Sequence, residues 1–342
     1  MSSVISPEGQ ISGDKALSVC SEVDEIDVTV CIANWNCRDL LRGCLQSLRE
    51  ESKDVRLEVI VVDNASADGA PEMVARDFPE VTLIRNSINL GFSAANNQAA
   101  MQARGHYLFF LNNDTVIPPG ALRGMLSYAE EHPEIGMLGP RLRDGEGQVQ
   151  VSYRLQPTVT SLLHRTILLR WTGLLRKSYL QYRRAEFDCE KIREVDVLMG
   201  AAMFTRRTDF LRWGGWDEDF RFGGEDLELS TRLNHVTKLV YYPEVEITHF
   251  GRVSTREHVA FSSPQIAVGI AKYLRKIGTP AASMFAYKLA MTIDTPLTIM
   301  AKLTEAAIRR VRGKSRTAKK SLLAAQAAWH FLRRGLMEFW RA

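Results

Sequence analysis

Along the first 115 residues, short apolar runs take turns with longer stretches in which apolar side chains recur every three or four positions. DVTVCIA (27–33) is rich in β-branched residues and predicts a buried strand. From Cys37 to Glu51, Leu40, Leu41, Cys44, Leu45 and Leu48 fall at helical spacing and predict an amphipathic helix. A second strand is expected over Leu57 to Val62, a helix over Ala70 to Phe78 and a short strand over Val81 to Arg85. An Ala- and Gln-rich helix over Ser93 to Arg104 and a fourth strand over Tyr107 to Leu111 complete this part. The β-α-β-α-β-α-β order predicts an α/β fold, a mostly parallel sheet with helices on both faces.

Beyond it the pattern loosens. Residues 141–193 contain a basic, partly amphipathic segment, SLLHRTILLRWTGLLRK (161–177). Val195 to Arg206 reads as a strand with Gly200 at a close approach, and Lys238 to His249 as one or two strands. The last 80 residues are helical and amphipathic in pattern, and no internal repeat is visible. No segment has the composition of a membrane span. The best candidate, Ala281 to Leu303, carries Lys288, Asp294 and Pro296, so an interfacial helix is the more natural reading.

In parallel sheets ligands bind beyond the carboxyl ends of the strands, and polar residues cluster at those ends here. Asn34 and Asn36 follow the first strand, Asp63 and Asn64 the second, Asn86 and Asn89 the third, and Asn112, Asn113 and Asp114 the fourth. A lone Asn or Asp at such a place is usually a turn or cap residue. Four clusters on one rim predict a shared site, because amides and a carboxylate at the mouth of buried strands are costly unless something uses them.

Charge refines this picture. The net charge of +4 conceals 15 Lys and Arg against 3 Asp and Glu from Gln265 onward, whereas the first 264 residues carry 29 against 37. A basic C-terminal arm on a slightly acidic body predicts an anionic contact for the arm. The mix of Arg333, Arg334 and Arg341 with aromatic residues over Leu322 to Trp340 suits an anionic membrane surface, and no nucleic-acid-binding module accompanies the charge. The run from Arg309 to Lys320 also reads as a solvated linker. The five cysteines show no CxxC pair, which fits a reducing, cytoplasmic setting. Residues 1–26 are polar and are expected to form a flexible tail.

Three ligand classes would use the polar rim. A dinucleotide calls for GxGxxG after the first strand, where Asn34-Trp35-Asn36-Cys37 stands, and a P-loop is absent. A nucleotide diphosphate held through a divalent metal remains, with Asp114 as a hard oxygen ligand. At this point VCIANWN (30–36), VIVVDNASADG (59–69), RNSINLGFSAANNQA (85–99), FFLNNDT (109–115), GAAMFTRRTDFLRWGGWDEDFRFGGEDLELSTR (200–232) and THFGRVS (248–254) resemble family 2 inverting glycosyltransferases of the GT-A fold. They are most similar to a branch containing bacterial rhamnosyltransferases that act on cell-wall or O-antigen lipid intermediates. The likeness runs from about residue 28 to 258.

The resemblance implies a GT-A, Rossmann-like domain over 27–260, with a nucleotide-sugar half (27–140), an acceptor and catalytic half (141–260), and a basic amphipathic helical appendage over 261–342. It implies that Asp63 reads the base or ribose, that Asn36, Asn89, Gly91 and Asn113 surround the donor, and that Asp114 and His249 hold Mg2+ or Mn2+. Asn112 stands where the metal motif usually has its first acid. Glu225 and Asp226 open an apolar-periodic run and so belong to the first turn of a helix, where acids also simply complement the dipole. The likeness makes Asp226 the catalytic base and places Glu225, Trp216 and Asp217 at the acceptor, with a core role for a Trp left open. The implied reaction moves a sugar, L-rhamnose from dTDP-L-rhamnose by likeness alone, from a dTDP- or UDP-sugar to a lipid-linked or cell-envelope glycan acceptor at the inner face of the membrane. A nucleotidyltransferase, and a sugar-nucleotide-binding scaffold without chemistry, stay open as rivals.

Overall fold

The computed structural model describes residues 25–183, 188–251 and 259–342. Residues 1–24 of the expected tail, and 252–254 of the last motif block, lie outside the described residues. The strands are β1 (Val28–Asn34), β2 (Leu57–Asn64), β3 (Thr82–Asn86), β4 (Tyr107–Leu111), β5 (Thr115–Val116), β6 (Ile135–Arg143), β7 (Tyr153–Arg154), β8 (Arg193–Glu194), β9 (Val197–Leu198), β10 (Ala202–Arg206) and β11 (Lys238–His249). Among the described residues one sheet of nine strands has the order β3-β2-β1-β4-β10-β6-β11-β5, with β8 pairing off β11, and β7 and β9 form a small second sheet. β1 to β4 are mutually parallel, and β6 and β11 are parallel to each other. β10 runs antiparallel between β4 and β6.

Helices α1 (Arg38–Glu51), α2 (Ala70–Asp77), α3 (Phe92–Gln102) and α4 (Ala121–Glu131) follow in chain order. Short helices α5 (Val159–Leu163), α6 (Ile167–Thr172) and α7 (Arg176–Arg183) precede α8 (Arg207–Arg212) and α9 (Glu225–Leu233). The central strands explain their unbroken apolar runs. Tyr107, Phe109 and Leu111 of β4 pack with α1, α2 and α4, while Leu108 and Phe110 point the other way into a core shared with α3, α8 and α9. A strand covered on both faces has no side to leave polar.

The elements not expected from sequence include α4 and β6, and the single strand expected over Val195 to Arg206 is two, β9 and β10, with Gly200 between them. β6 reads IGMLGPRLR, whose glycines resemble breakers. They are there because neighbours come close: a Cβ on Gly136 would lie 2.3 Å from Thr237, and one on Gly139 2.6 Å from Leu198.

The C-terminal region forms α10 (Val259–Lys276), α11 (Ala281–Val311), α12 (Ser315–His330), a π-helical turn over Phe331–Gly335, and α13 (Leu336–Arg341). Its Val268, Tyr273, Leu274, Tyr287, Phe331 and Phe339 bury a third core together with Leu162, Val197, Phe220 and Leu227 of the preceding chain. The contact is closest where Gly269 of α10 meets the Gly223–Gly224 loop, since a Cβ on Gly269 would fall 1.6 Å from the Gly223 carbonyl oxygen. Among the described residues no helix is long and apolar enough to cross a membrane.

Helix α4 carries no capping side chain of its own. Glu51, 1% exposed at the end of α1, supplies one from a distance: its carboxylate accepts from the N–H groups of Gly120 (2.7 Å) and Leu122 (2.8 Å). Two otherwise orphaned donors are thereby satisfied by a negative charge at the positive end of the helix. Glu51→Ala should cost about 1–3 kcal/mol, the penalty of stranding buried donors, read as a lowered urea midpoint. An unchanged midpoint would show that water replaces the carboxylate.

Candidate active site

The sheet order reverses between β1 and β4: the chain builds β1, β2 and β3 outward and then returns to the other side of β1. The carboxyl ends of β1 and β4 therefore diverge at a switch point, where a crevice forms between their loops. A cavity of about 820 Å³ occupies it, lined from this side by Asn34, Trp35, Asn64, Asn89, Gly91 and Asn112 to Asp114. The far wall comes from the β6–β7 connection, the end of β11 and the C-terminal helices, including Gln150, His249, Phe261, Arg316 and Lys320.

Buried amides fix the strand ends to one another. Asn34, 1% exposed, donates to Asp63 Oδ1 (2.9 Å) and accepts from the Asn113 amide (2.7 Å), so one side chain joins three strand ends. Asp63 Oδ2 accepts from Ser66 N (2.9 Å). Asn36 has φ of 50°, bonds Ser66 through its N–H and accepts from Ala67 N. Asp63 and Asn36 thus shape the rim from behind and do not line the cavity. Asn89 accepts from Gly91 N (2.9 Å). Gly91 has φ of 97°, and a Cβ there would lie 2.5 Å from the Arg221 carbonyl oxygen, which accepts from Phe92 N. Only glycine allows that approach.

Asp114, 4% exposed, lies 3.3 Å from His249 Nε2, and the Asn112 amide lies 3.4 Å from the same nitrogen. Gln150 sets the tautomer of His249. Its Nε2 donates to the His249 carbonyl (2.6 Å), which leaves Oε1 as the acceptor facing His249 Nδ1 at 2.9 Å. Nδ1 therefore carries a proton, and in neutral imidazole the Nε2 lone pair faces the Asp114 carboxylate. Two acceptors so placed fit a shared cation or proton. Among the described residues no third His, Cys, Asp or Glu joins them to form a closed metal cage, so a metal here would keep open positions for ligand oxygens and water.

The acids expected at the acceptor side sit apart from the cavity wall. Asp226, 8% exposed, accepts from Arg154 Nη2 (2.7 Å) and Leu227 N (2.9 Å). It stands beside Gly200, where a Cβ would be 3.3 Å from its own, next in sequence to the wall residue Met199. Glu225 has an enclosed Oε2 with no hydrogen-bond partner. Burial, reinforced by the neighbouring Asp226 carboxylate, pushes Glu225 up to about 8.

Trp216 corrects the expectation of an acceptor wall: it is 1% exposed, with its ring edge-on to Phe92 and Phe110 at 5.3 Å, and belongs to the core. Asn97 of α3 clamps the Trp216 backbone through both N–H and carbonyl. Asp217 is also off the wall, paired with Lys276 of α10.

Several lining residues were not singled out from sequence. Trp35 meets Phe261 edge-on at 5.1 Å, across 226 positions of chain by their numbers. Arg183, Arg221 and the pair Arg316 and Lys320 of α12 bring positive charge to the cavity from three separate places. Gln150 stands 99 positions from the histidine it orients. Only the basic composition of the C-terminal region hinted at any of these.

A family model described as glycosyl transferase family 2 matches residues 29–207. The chain is 30% identical over 212 residues to an N-acetylglucosaminyl-diphospho-decaprenol L-rhamnosyltransferase of Mycobacterium tuberculosis, covering 58% of this chain and 68% of that protein. It is 29% identical over 227 residues to the O-antigen biosynthesis protein RfbC of Myxococcus xanthus, covering 64% of this chain and 17% of that one. Among solved structures, a mannosyltransferase from Pyrobaculum calidifontis in complex with GDP-Man and Mn2+ aligns at a TM-score of 0.52 and 19% identity, covering 91% of this chain and 88% of that one. GalNAc-T7 with UDP, GalNAc and Mn2+ aligns at 0.53 and 14% identity, covering 74% and 48%. These structural likenesses show the GT-A-like fold.

Two substitutions test the site's construction. Asn34→Leu keeps the volume but strands Asp63 and the Asn113 amide, and should cost about 2 kcal/mol or more of stability by chemical denaturation. For Glu225, a folded-state value raised from 4.5 to about 8 means the neutral acid is favoured on folding. Its contribution to stability is complete below about pH 4.5 and lost as pH rises through 8. Thermal melts of Glu225→Gln against the parent should therefore diverge with rising pH, the parent losing more. Parallel curves would contradict the assignment.

Proposed function

Because this chain belongs to glycosyl transferase family 2, an inverting family that moves sugar from a nucleotide-sugar to a glycan acceptor, we propose that it transfers L-rhamnose from dTDP-L-rhamnose to a lipid-linked or cell-envelope glycan hydroxyl. The observation that carries the transferase reading is the convergence of Asn89, Gly91, Asn113, Asp114 and His249 on one cavity at the sheet's switch point. The rhamnose donor and lipid-linked acceptor rest on the likeness to the mycobacterial rhamnosyltransferase.

In this reading Asn89, Gly91 and Asn113 contact the donor, and Asp63 and Asn36 act through Asn34 and the Ser66 turn. Trp35 and Phe261 offer an aromatic wall, and Arg183, Arg221, Arg316 and Lys320 supply positive potential for a diphosphate. Asp114 and His249 would hold Mg2+ or Mn2+, which when bound stabilises charge on the departing diphosphate. Inversion requires a single displacement from the opposite face, with a carboxylate to take the acceptor hydroxyl's proton. Asp226 is the proposed base. Its Oδ2 is held by Arg154, so the arriving hydroxyl has to compete with the guanidinium for that oxygen. Glu225, kept protonated by burial, is suited to donate a hydrogen bond to the acceptor. The basic arm, through cations other than Arg316 and Lys320, attaches the protein peripherally to the anionic inner face of the membrane.

Asp226→Asn should lower turnover about 100- to 10,000-fold, the usual range for a positioned base, while nucleotide diphosphate binding by calorimetry stays near parent. Asp114→Ala should weaken both turnover and metal-dependent binding. Near-parent turnover by Asp226→Asn would falsify the base assignment. A sugar-nucleotide panel in which another donor outcompetes dTDP-L-rhamnose would overturn the donor.

A further inference from the structure

Helix α11 is about 46 Å long at 1.5 Å per residue, and its polarity is inverted relative to a helix on a water-facing surface. Every exposed position from Ala281 to Thr304 carries an uncharged side chain, including Phe285, Leu289, Ile293, Leu297, Met300 and Leu303. These recur at intervals of three or four residues and so present one long face. The charged residues of the same stretch turn away from it. Lys288 is 7% exposed and donates to the Trp340 carbonyl (3.0 Å). Asp294 accepts from Ile167 N (2.6 Å) and from the Thr298 hydroxyl (3.0 Å), and Lys302 pairs with Glu305 at 2.7 Å.

The bond from Ile167 to Asp294 docks α6 on α11 and brings a second apolar group beside the face. Trp171 is 85% exposed, Leu168 62% and Leu174 59%. Around them the chain is cationic. Arg165, Arg170, Arg176 and Lys177 are exposed on and beside α6, and no acidic residue occurs from Thr158 to Arg183. At the other end of α11, Arg310, Arg312 and Lys314 are exposed, and no acidic residue follows Glu305 until Glu338. An apolar face of this extent is unusual on a soluble surface and marks an interaction site.

We infer that the joint face of α6 and α11 inserts into the headgroup and acyl boundary of an anionic bilayer, with Trp171 at the interface and the arginine and lysine residues on the lipid phosphates. The inference deepens the peripheral attachment proposed above and rests on it, but names a different physical cause. Attachment through the basic arm is electrostatic, whereas this face adds apolar burial in the interface plane. The charge pattern selects a bilayer over a second copy of this chain, since a symmetric pair would set two basic rims against each other. It also narrows the contact to the helix expected to be interfacial over Ala281 to Leu303. Phe331 and Phe339 of the segment expected to meet the membrane are buried, 4% and 0% exposed, in the third core. The basic stretch after α11 continues into Arg316 and Lys320 of the cavity wall, so insertion of this face brings the cavity to the membrane surface.

Vesicles of phosphatidylcholine with phosphatidylglycerol, sedimented with the full chain, test the inference in low salt and in molar salt, where the Debye length falls to about 3 Å. The parent should stay bound in molar salt. Leu289→Glu/Ile293→Glu, at exposed positions and so with an unchanged melting temperature, should bind at least about tenfold more weakly. Brominated acyl chains should quench the parent's tryptophan emission, and Trp171→Phe should lose most of that quenching. Complete release of the parent by molar salt, with the double variant binding as the parent does in low salt, would overturn the inserted face while leaving electrostatic attachment standing. Failure of the parent to sediment with vesicles in either salt would overturn both. Conversion of a dimer to a monomer by the double variant, with vesicle binding unchanged, would assign the face to a second copy and overturn the inference.

Discussion

Asn34 joins the carboxyl ends of three parallel strands through two hydrogen bonds, to Asp63 and from Asn113, while almost wholly buried at the floor of the cavity. A buried amide must find partners or lose the free energy of its hydration. Meeting that constraint fixes the rim of the sheet at the switch point. Because Asn113 is tied to β1, its neighbour Asp114 emerges at a fixed height, and because β5 pairs with the end of β11, His249 arrives opposite it. The loop carrying Asn89 and Gly91 is anchored in turn by the Asn64 amide, which donates to the Gly91 carbonyl at 3.0 Å. The cavity is thus the space left between strand ends that cannot move independently of one another.

Close backbone approaches carry this rigidity to the other half of the site. Gly91 lets the loop after β3 touch Arg221, and Gly269 lets α10 sit against Gly223 and Gly224, the residues that precede Glu225 and Asp226. The acids at the start of α9 are therefore positioned by contacts from both sides of the cavity, and the C-terminal helices are part of the framework that holds them. The same helices give Arg316 and Lys320 to the cavity and turn the apolar face of α11 outward. One region thereby shapes the site and sets how the molecule meets its surroundings.

Much of the architecture was legible in the chain. The alternation of buried strands and amphipathic helices from Val28 to Leu111 gave the parallel half of the sheet, because strands covered on both faces and helices covered on one have distinct periodicities. The polar clusters at the strand ends gave the rim, since Asn and Asp have few other reasons to recur at the mouths of buried strands. The motif likeness gave the family. What the pattern concealed was β6, whose glycines serve close approaches to Thr237 and Leu198, and the cap that Glu51 provides to α4 across 69 positions.

The sequence by itself determined the chemical inventory: which strands end in amides, which helix opens with two acids, and that the C-terminal region is basic and amphipathic. Tertiary structure decided which of these groups face one another. It took Trp216 into the core, put Asp63 behind Asn34, set Gln150 against His249 and bound Asp226 to Arg154. It also turned Lys288 and Asp294 inward so that α11 shows an apolar face. Local periodicity reports only whether a position is covered. The partner that covers it is set by chain crossings far along the sequence, and only the folded arrangement contains them.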